Sequence, residues 1–269
     1  MSGARQQSFD TSNRKEFVAY YAAQSLSEET RQRVTQLRDS ILRAIPAANR
    51  GRALDVADIG CNTGALSRAW AEKGHRAHGL DVSEPLIAIA RERTEAANLT
   101  VEYRVGTATA LPWPDKSMDV CCLPELLEHV ADWETCLGEA IRVLRPDGVL
   151  YLSTTNVLCP VQQEFNLPLY SWYPSFLKRR YETLAVTTRP EVANHATYPA
   201  VNWFNYYGLR AYLAARGMRS LDRFDIARLG GGGGVKEMTL RLICGIPPAR
   251  FVAHLASPGL AMLAIKNSG

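Results

Sequence analysis

The sequence predicts an α/β protein: an open, doubly wound, mostly parallel sheet of seven strands, with helices ahead of it and an insertion after the fifth strand. Three observations carry this. Short apolar runs alternate with helical patterns of about 10–15 residues, as βαβ units do. The runs are nearly continuous in apolar residues, as befits strands covered on both faces. The first run empties into a small-residue turn, Gly60-Cys61-Asn62-Thr63-Gly64, and a helical pattern follows at once.

Helical spacing marks Phe17–Tyr21 and Glu28–Ile45, the latter stopped by Pro46. Strand-like runs are then expected at Ala53–Ile59, His75–Leu80, Val101–Val105, Met118–Leu123 and Val149–Thr154. Between them lie helices at Ala65–Lys73, Glu84–Ala97 and Trp133–Leu144. Regularity stops after Thr155 and resumes with a helix at Tyr206–Ala215. The last two strands are expected at Ser220–Ile226 and Glu237–Cys244, separated by Gly230–Gly234, a run read as a mobile connection. Four units follow: 1–50, a tail and helical cap; 51–246, the main domain; within it 156–200, a lid or membrane contact; and 247–269, an apolar extension.

Composition narrows the function. With 269 residues, 46% hydrophobic and 22% charged, the chain can build a full core without staples. Met1–Asn13 is polar and lacks the apolar stretch of a secretory leader, and no run reaches the roughly 20 residues that span a bilayer. The cysteines (Cys61, Cys121, Cys122, Cys136, Cys159, Cys244) form no CxxC pair, which favours a reducing compartment over a zinc ribbon or disulfide scaffold. The expectation is a cytoplasmic protein, soluble or peripheral to a membrane. A net charge of +4 is too mild to argue for nucleic acid.

The chemistry-bearing segment is Asp58-x-Gly60-x-x-x-Gly64. Glycines let backbone approach a ligand, and the next helix presents unsatisfied N–H groups. Asp81, closing the second strand, is placed to take ribose hydroxyls. The GxGxxG of dinucleotide sites is absent. Asp-Ile-Gly-Cys-Asn-Thr-Gly resembles motif I of the class I S-adenosylmethionine-dependent methyltransferases. Asp81 matches their ribose-binding acid, and Gly106–Trp113 matches the segment beside the adenine. The resemblance implies S-adenosyl-L-methionine as cofactor, held by Asp58, Gly60, Cys61, Asn62, Gly64, Asp81, Val82, Thr107 and Ala108. Two positions depart from the pattern. Asn62 replaces a glycine, a swap that Asn tolerates best because it enters left-handed backbone readily. Thr107 replaces the usual acid and accepts a weaker hydrogen bond.

A second constellation follows the fourth strand. If Leu123–His129 is helical, Glu125, Glu128 and His129 share one face within an arc of about 100°. They form a divalent-metal site or a base cluster; the competing reading is two solvated first-turn glutamates favoured by the helix dipole. Asp119–His129 is similar to the Asp-x-x-x-x-x-Glu-x-x-Glu-His segment of the ubiquinone-biosynthesis O-methyltransferases. The Glu-x-x-Glu-His spacing also occurs in metal-dependent small-RNA 2′-O-methyltransferases. That resemblance implies Glu125, Glu128 and His129 as catalytic residues and, with His195, as ligands of Mg2+ or Zn2+. A metal would favour the oxyanion of a phenolic acceptor, whose pKa is about 10; His129 would otherwise be a general base.

The expected substrate is a hydrophobic or aromatic hydroxyl compound. Aromatic-rich Phe165–Tyr173 followed by Lys178-Arg179-Arg180 suits a lipid contact, a lid, or loop packing. Tyr20 and Tyr21 close the pocket or pack in the core, and the C-terminal apolar stretch docks on the same face or forms an oligomer contact. A small-RNA methyltransferase is the rival within the enzymes, disfavoured by weak charge; a non-catalytic binding partner is the rival outside them.

Overall fold

The computed structural model describes residues 15–194, 200–231 and 233–268. The expected tail at 1–13, His195 and the centre of the glycine run fall outside them. Two helices come first, α1 (Lys15–Gln24) and α2 (Glu28–Ala44). Ser27 caps α2 by accepting the Thr30 N–H at 3.1 Å, with Glu28 and Glu29 in its first turn. The regular alternation then runs β1 (Asp55–Ile59), α3 (Ala65–Ala71), β2 (Arg76–Asp81), α4 (Glu84–Ala96), β3 (Val101–Val105), β4 (Met118–Pro124), α5 (Trp133–Val143) and β5 (Leu144–Thr155). The insertion contributes α6 (Ser175–Thr187). After it come α7 (Tyr206–Ala214), β6 (Met218–Asp222), α8 (Arg223–Leu229), α9 (Val235–Gly245), α10 (Pro247–Leu255) and β7 (Gly259–Lys266).

All seven strands join one sheet in the order β3-β2-β1-β4-β5-β7-β6, with only β7 antiparallel to its neighbours. Both faces are covered, as the apolar runs required. Ala57, Ile59, Cys121 and Leu123 meet Leu137 of α5 and Leu209 of α7 on one side. Val56, Val120 and Cys122 meet Ile41 of α2 and Trp70 of α3 on the other. Strand order reverses between β1 and β4, the crevice where open α/β sheets bind ligands.

The last third corrects the sequence reading. Asp222 ends β6 because its carboxylate accepts the Phe224 and Asp225 N–H groups, while Asp225 returns a bond to the Asp222 N–H. This capping box starts α8 inside the expected strand Ser220–Ile226. The expected strand Glu237–Cys244 is helix α9. Its alternating Met238, Leu240 and Leu242 mimic a strand, yet Val235, Met238 and Leu242 follow helical spacing, and Glu237 pairs with Arg241 one turn on at 2.8 Å. The seventh strand is β7, within the stretch expected to be an apolar extension.

Charge holds the edge of the sheet where β1 and β4 begin. Asp119 receives Arg52 at 2.8 and 2.6 Å, Arg145 at 2.8 Å and the Asp55 N–H at 2.9 Å. Against the burial that opposes ionisation, those bonds hold its carboxyl below the usual range. Arg76 and Arg145 hold Asp55 down to about 2. Asp119, which opens the acidic motif in the sequence, is therefore a structural anchor at the edge away from the motif's two glutamates.

Candidate active site

The loop after β1 needs its unusual residues. Gly60, Asn62 and Gly64 have φ of 76°, 52° and 74°, all left-handed. Asn62 thus fills the glycine's place as expected. A side chain on Gly64 would fall on the Tyr103 hydroxyl. The Gly60 and Cys61 N–H groups donate to the Leu80 carbonyl at 2.8 and 3.0 Å, which seats the loop at the end of β2. Cys61 is buried, and burial pushes its thiol well above the ordinary range, so it packs rather than reacts.

Asp81 organises the crevice. One carboxylate oxygen accepts the Asn62 N–H at 2.8 Å and the other the Ser83 N–H at 2.9 Å. Both carboxylate oxygens thus lie at the loop where the resemblance expects the ribose hydroxyls. The Gly106 N–H donates to the Asp81 carbonyl at 2.9 Å, drawing the loop after β3 alongside. There Thr107 hydrogen-bonds Thr109 at 2.8 Å, Ala108 is buried, and Val82 is 48% exposed. Asp58 lies beneath, fully buried. Ser67 donates to one of its oxygens at 2.6 Å and the other has no hydrogen-bond partner. Burial and the Asp81 charge push Asp58 up to about 6. A glycine loop, a ribose-type acid and a buried acceptor lacking a donor fit S-adenosylmethionine, whose amino-acid end carries an ammonium group.

The second constellation is not a helix. β4 ends at Pro124, and Glu125 to His129 form turns with Glu125 in the left-handed region at φ 49°. With that φ Glu125 cannot open a right-handed helix, and its N–H donates to the Ser153 carbonyl of β5 at 3.0 Å, continuing the pairing with the neighbouring strand. The shared helical face therefore does not exist, and Glu128 is not a solvated first-turn residue: it is fully buried. Thr154 donates to one Glu128 oxygen at 2.8 Å and the other has no hydrogen-bond partner. Asn202 clamps this turn, donating to the Leu127 and Val130 carbonyls at 2.9 and 2.7 Å.

The insertion adds a third carboxylate that the motif did not contain. Glu125 and Glu164 line one cavity with Thr154, Thr155, Gln162, Gln163, Pro258 and Gly259. Burial pushes Glu128 well up, reinforced by the charges of Glu125 and Glu164. Burial and Glu125 push Glu164 up to about 7. Helix α1 overhangs the cluster: burial, Tyr20, Glu164, Glu128 and Asp81 together raise the Tyr21 phenol to about 12. Arg93 of α4 ties the helix down through Ser25 at 2.5 Å and the Ala22 carbonyl at 2.9 Å. The Gln162-Gln163-Glu164 run, polar within an aromatic-rich insertion, was the one sequence signal for Glu164. Nothing local marked Asn202. His195 lies outside the described residues, and among those residues no three His, Cys, Asp or Glu side chains gather to hold a metal.

Comparison with known proteins agrees with the cofactor crevice. Residues 57–152 match the family model described as a methyltransferase domain. The chain is 37% identical over 97 residues to the malonyl-[acyl-carrier protein] O-methyltransferase of Serratia marcescens, covering 36% of each chain. It is 39% identical over 103 residues to the ubiquinone biosynthesis O-methyltransferase of Rhizobium rhizogenes, covering 38% of this chain and 42% of the relative. The matched segment thus spans about two-fifths of these relatives. In three dimensions the chain resembles the YcgJ protein of Bacillus subtilis (TM-score 0.54, 19% identity, 86% of this chain and 100% of that one). It also resembles the PH0226 protein of Pyrococcus horikoshii (TM-score 0.55, 17% identity, 90% and 93%); at such identities these likenesses show the fold. The segment 57–152, with its crevice at the β1–β4 reversal, is a class I S-adenosylmethionine-dependent methyltransferase domain resembling the ubiquinone-biosynthesis O-methyltransferase group.

Proposed function

We propose that the chain transfers a methyl group from S-adenosylmethionine to a hydroxyl of a hydrophobic or aromatic small molecule. The observation that carries this is that Glu125 and Glu164 line one cavity, electrostatically linked to buried Glu128, on the turn whose Leu126 packs on Gly60 of the cofactor loop. S-adenosylmethionine supplies an electrophilic methyl group on a cationic sulfonium. The chain's own residues do the rest. Asp81 and the loop Gly60–Gly64 hold the nucleoside, and Asp58 offers its unpaired oxygen toward the ammonium group. Tyr21 and its helix keep water from the reacting atoms.

Glu164 takes the proton from the acceptor hydroxyl. A carboxylate held near 7 is matched to that work at neutral pH, where an ordinary glutamate is too weak a base. Glu128, whose burial and acidic neighbours favour its protonated form, is suited to hold a hydrogen bond to the acceptor oxygen. Holding that oxygen against the methyl group supplies a further large share of the rate.

A divalent cation at the same carboxylates is the second reading, favoured because burial and the charges of Glu125 and Glu164 together raise Glu128. Mg2+ or Zn2+ would draw on Glu125, Glu128 and His129, although no three such donors gather among the described residues. The test is transfer of labelled methyl from S-adenosylmethionine to a panel of phenols and catechols, with and without chelator. Turnover that survives chelation and falls at least a hundredfold in Glu164→Gln supports the base. Turnover abolished by chelation and restored by Mg2+ replaces it with the metal. Failure of the chain to bind S-adenosylmethionine in calorimetry removes both.

A further inference from the structure

The helical excursion between β6 and β7 leaves apolar surface uncovered. On α9, Val235, Met238 and Leu242 recur at helical spacing and share one stripe, and they are 75%, 67% and 55% exposed. Val252 on the adjoining α10 is 60% exposed and Phe251 43%. No residue of α9 is buried, although it packs on α8 and α10. Contiguous exposed apolar side chains of this kind mark a contact surface.

Charge indicates the partner. From Arg216 to Arg250 there are seven Arg and Lys against three Asp and Glu, a surplus equal to the +4 of the entire chain. All three acids are engaged within the segment, Asp222 and Asp225 with Arg250, and Glu237 with Arg241. At about 100° per residue, Lys236 and Arg241 fall on opposite flanks of the apolar stripe. A second copy of the chain would set this surplus against itself. An anionic surface complements it.

Position completes the argument. β6 runs parallel to β5, and β7 starts beside the end of β5 with Gly259 paired to Thr155. The excursion therefore leaves and re-enters the sheet at the edge that carries the cofactor loop and the carboxylate cavity, which Pro258 and Gly259 themselves line.

We propose that the exposed face of α9 and α10 docks the protein on an anionic lipid bilayer, so that the cavity meets an acceptor dissolved in the membrane. The apolar stripe enters the acyl boundary while Lys236 and Arg241 meet headgroup phosphates. This rests on the hydrophobic-acceptor reading above and names where such an acceptor comes from. No described helix is long and apolar enough to cross a membrane, so contact by these helices is interfacial.

The test is co-sedimentation of the full chain with vesicles of phosphatidylglycerol and phosphatidylcholine, and with phosphatidylcholine alone. Binding should favour the anionic vesicles at least tenfold and weaken with added salt. The double variant Met238→Ser, Leu242→Ser should lose at least tenfold, and Lys236→Glu, Arg241→Glu should lose the preference for phosphatidylglycerol. Both pairs are exposed, so S-adenosylmethionine affinity should stay unchanged and the thermal midpoint should shift by no more than the loss of the surface Glu237–Arg241 pair brings. Equal binding by the variants, or no binding to either vesicle, overturns the proposal; so does a concentration-dependent dimer that the Ser variant abolishes. Vesicle failure with cofactor binding retained removes the docking surface alone. Loss of cofactor binding in the unaltered chain removes the methyltransferase reading instead.

Discussion

Gly60 and Leu126 lie in contact: a β-carbon on Gly60 would sit 3.0 Å from Leu126 Cδ1. That contact joins the cofactor loop after β1 to the turn after β4, so nucleoside recognition and the carboxylate cluster are one packed unit. Gly60→Ala crowds Leu126 and strains a backbone at φ 76°. The expected loss is about 1–3 kcal/mol of stability and at least tenfold in cofactor affinity, read by thermal melting and calorimetry. Unchanged affinity would separate the two halves.

The carboxylates set a pH dependence with a definite sign. Glu164 titrates near 7 in the folded chain against an ordinary value of 4.5, and Glu128 higher than 4.5 as well. Between pH 4.5 and 7 the native state binds more protons than the unfolded chain, so stability falls as pH rises. Glu128→Gln removes the charge from the buried seat and keeps an acceptor for Thr154. Its melting temperature should exceed that of the parent at pH 8 and match it near pH 4.5. In the same window Glu164→Gln should abolish the acid limb near pH 7 in the turnover profile.

Asp119 should behave as architecture. Asp119→Asn weakens the ion pairs of a buried carboxylate with the partly exposed Arg52 and Arg145 and should destabilise by about 1–2 kcal/mol. Affinity for S-adenosylmethionine at low temperature should hold within about twofold, roughly 0.4 kcal/mol. A large affinity loss in a folded variant would return Asp119 to the site.

Arg93→Ala removes both bonds from α4 to Ser25 and Ala22 and should loosen α1. Hydrogen exchange across Lys15–Gln24 should accelerate while the strands stay protected. KM for the acceptor should rise more than kcat falls, because Tyr21 covers the site rather than reacting.

The cofactor crevice was legible because its demands are local. Left-handed backbone at Gly60, Asn62 and Gly64, and an acid closing β2, follow from residue type and spacing. The acidic motif was legible as composition and misread as geometry. Instead of starting a helix, Glu125 donates to the Ser153 carbonyl, a partner on another strand. α9 was missed for a related reason, since Met238, Leu240 and Leu242 satisfy a period of two while Met238 and Leu242 also satisfy the helical one. The capping box of Asp222 and Asp225, readable in principle, decides where β6 ends.

By itself the sequence determined the first five strands, the nucleoside loop and the chemical class of the domain, since each rests on neighbours in the chain, while the last two strands did not follow from it. Tertiary structure alone decided which carboxylates meet. Glu164 reaches the cavity of Glu125 from the insertion, Asn202 holds the turn from beyond it, and Tyr21 at the front of the chain comes near enough for the charges of Glu164 and Glu128 to raise its phenol. Burial, and with it the proton affinity of Glu128 and Glu164, exists only once those distant segments close over the same edge of the sheet.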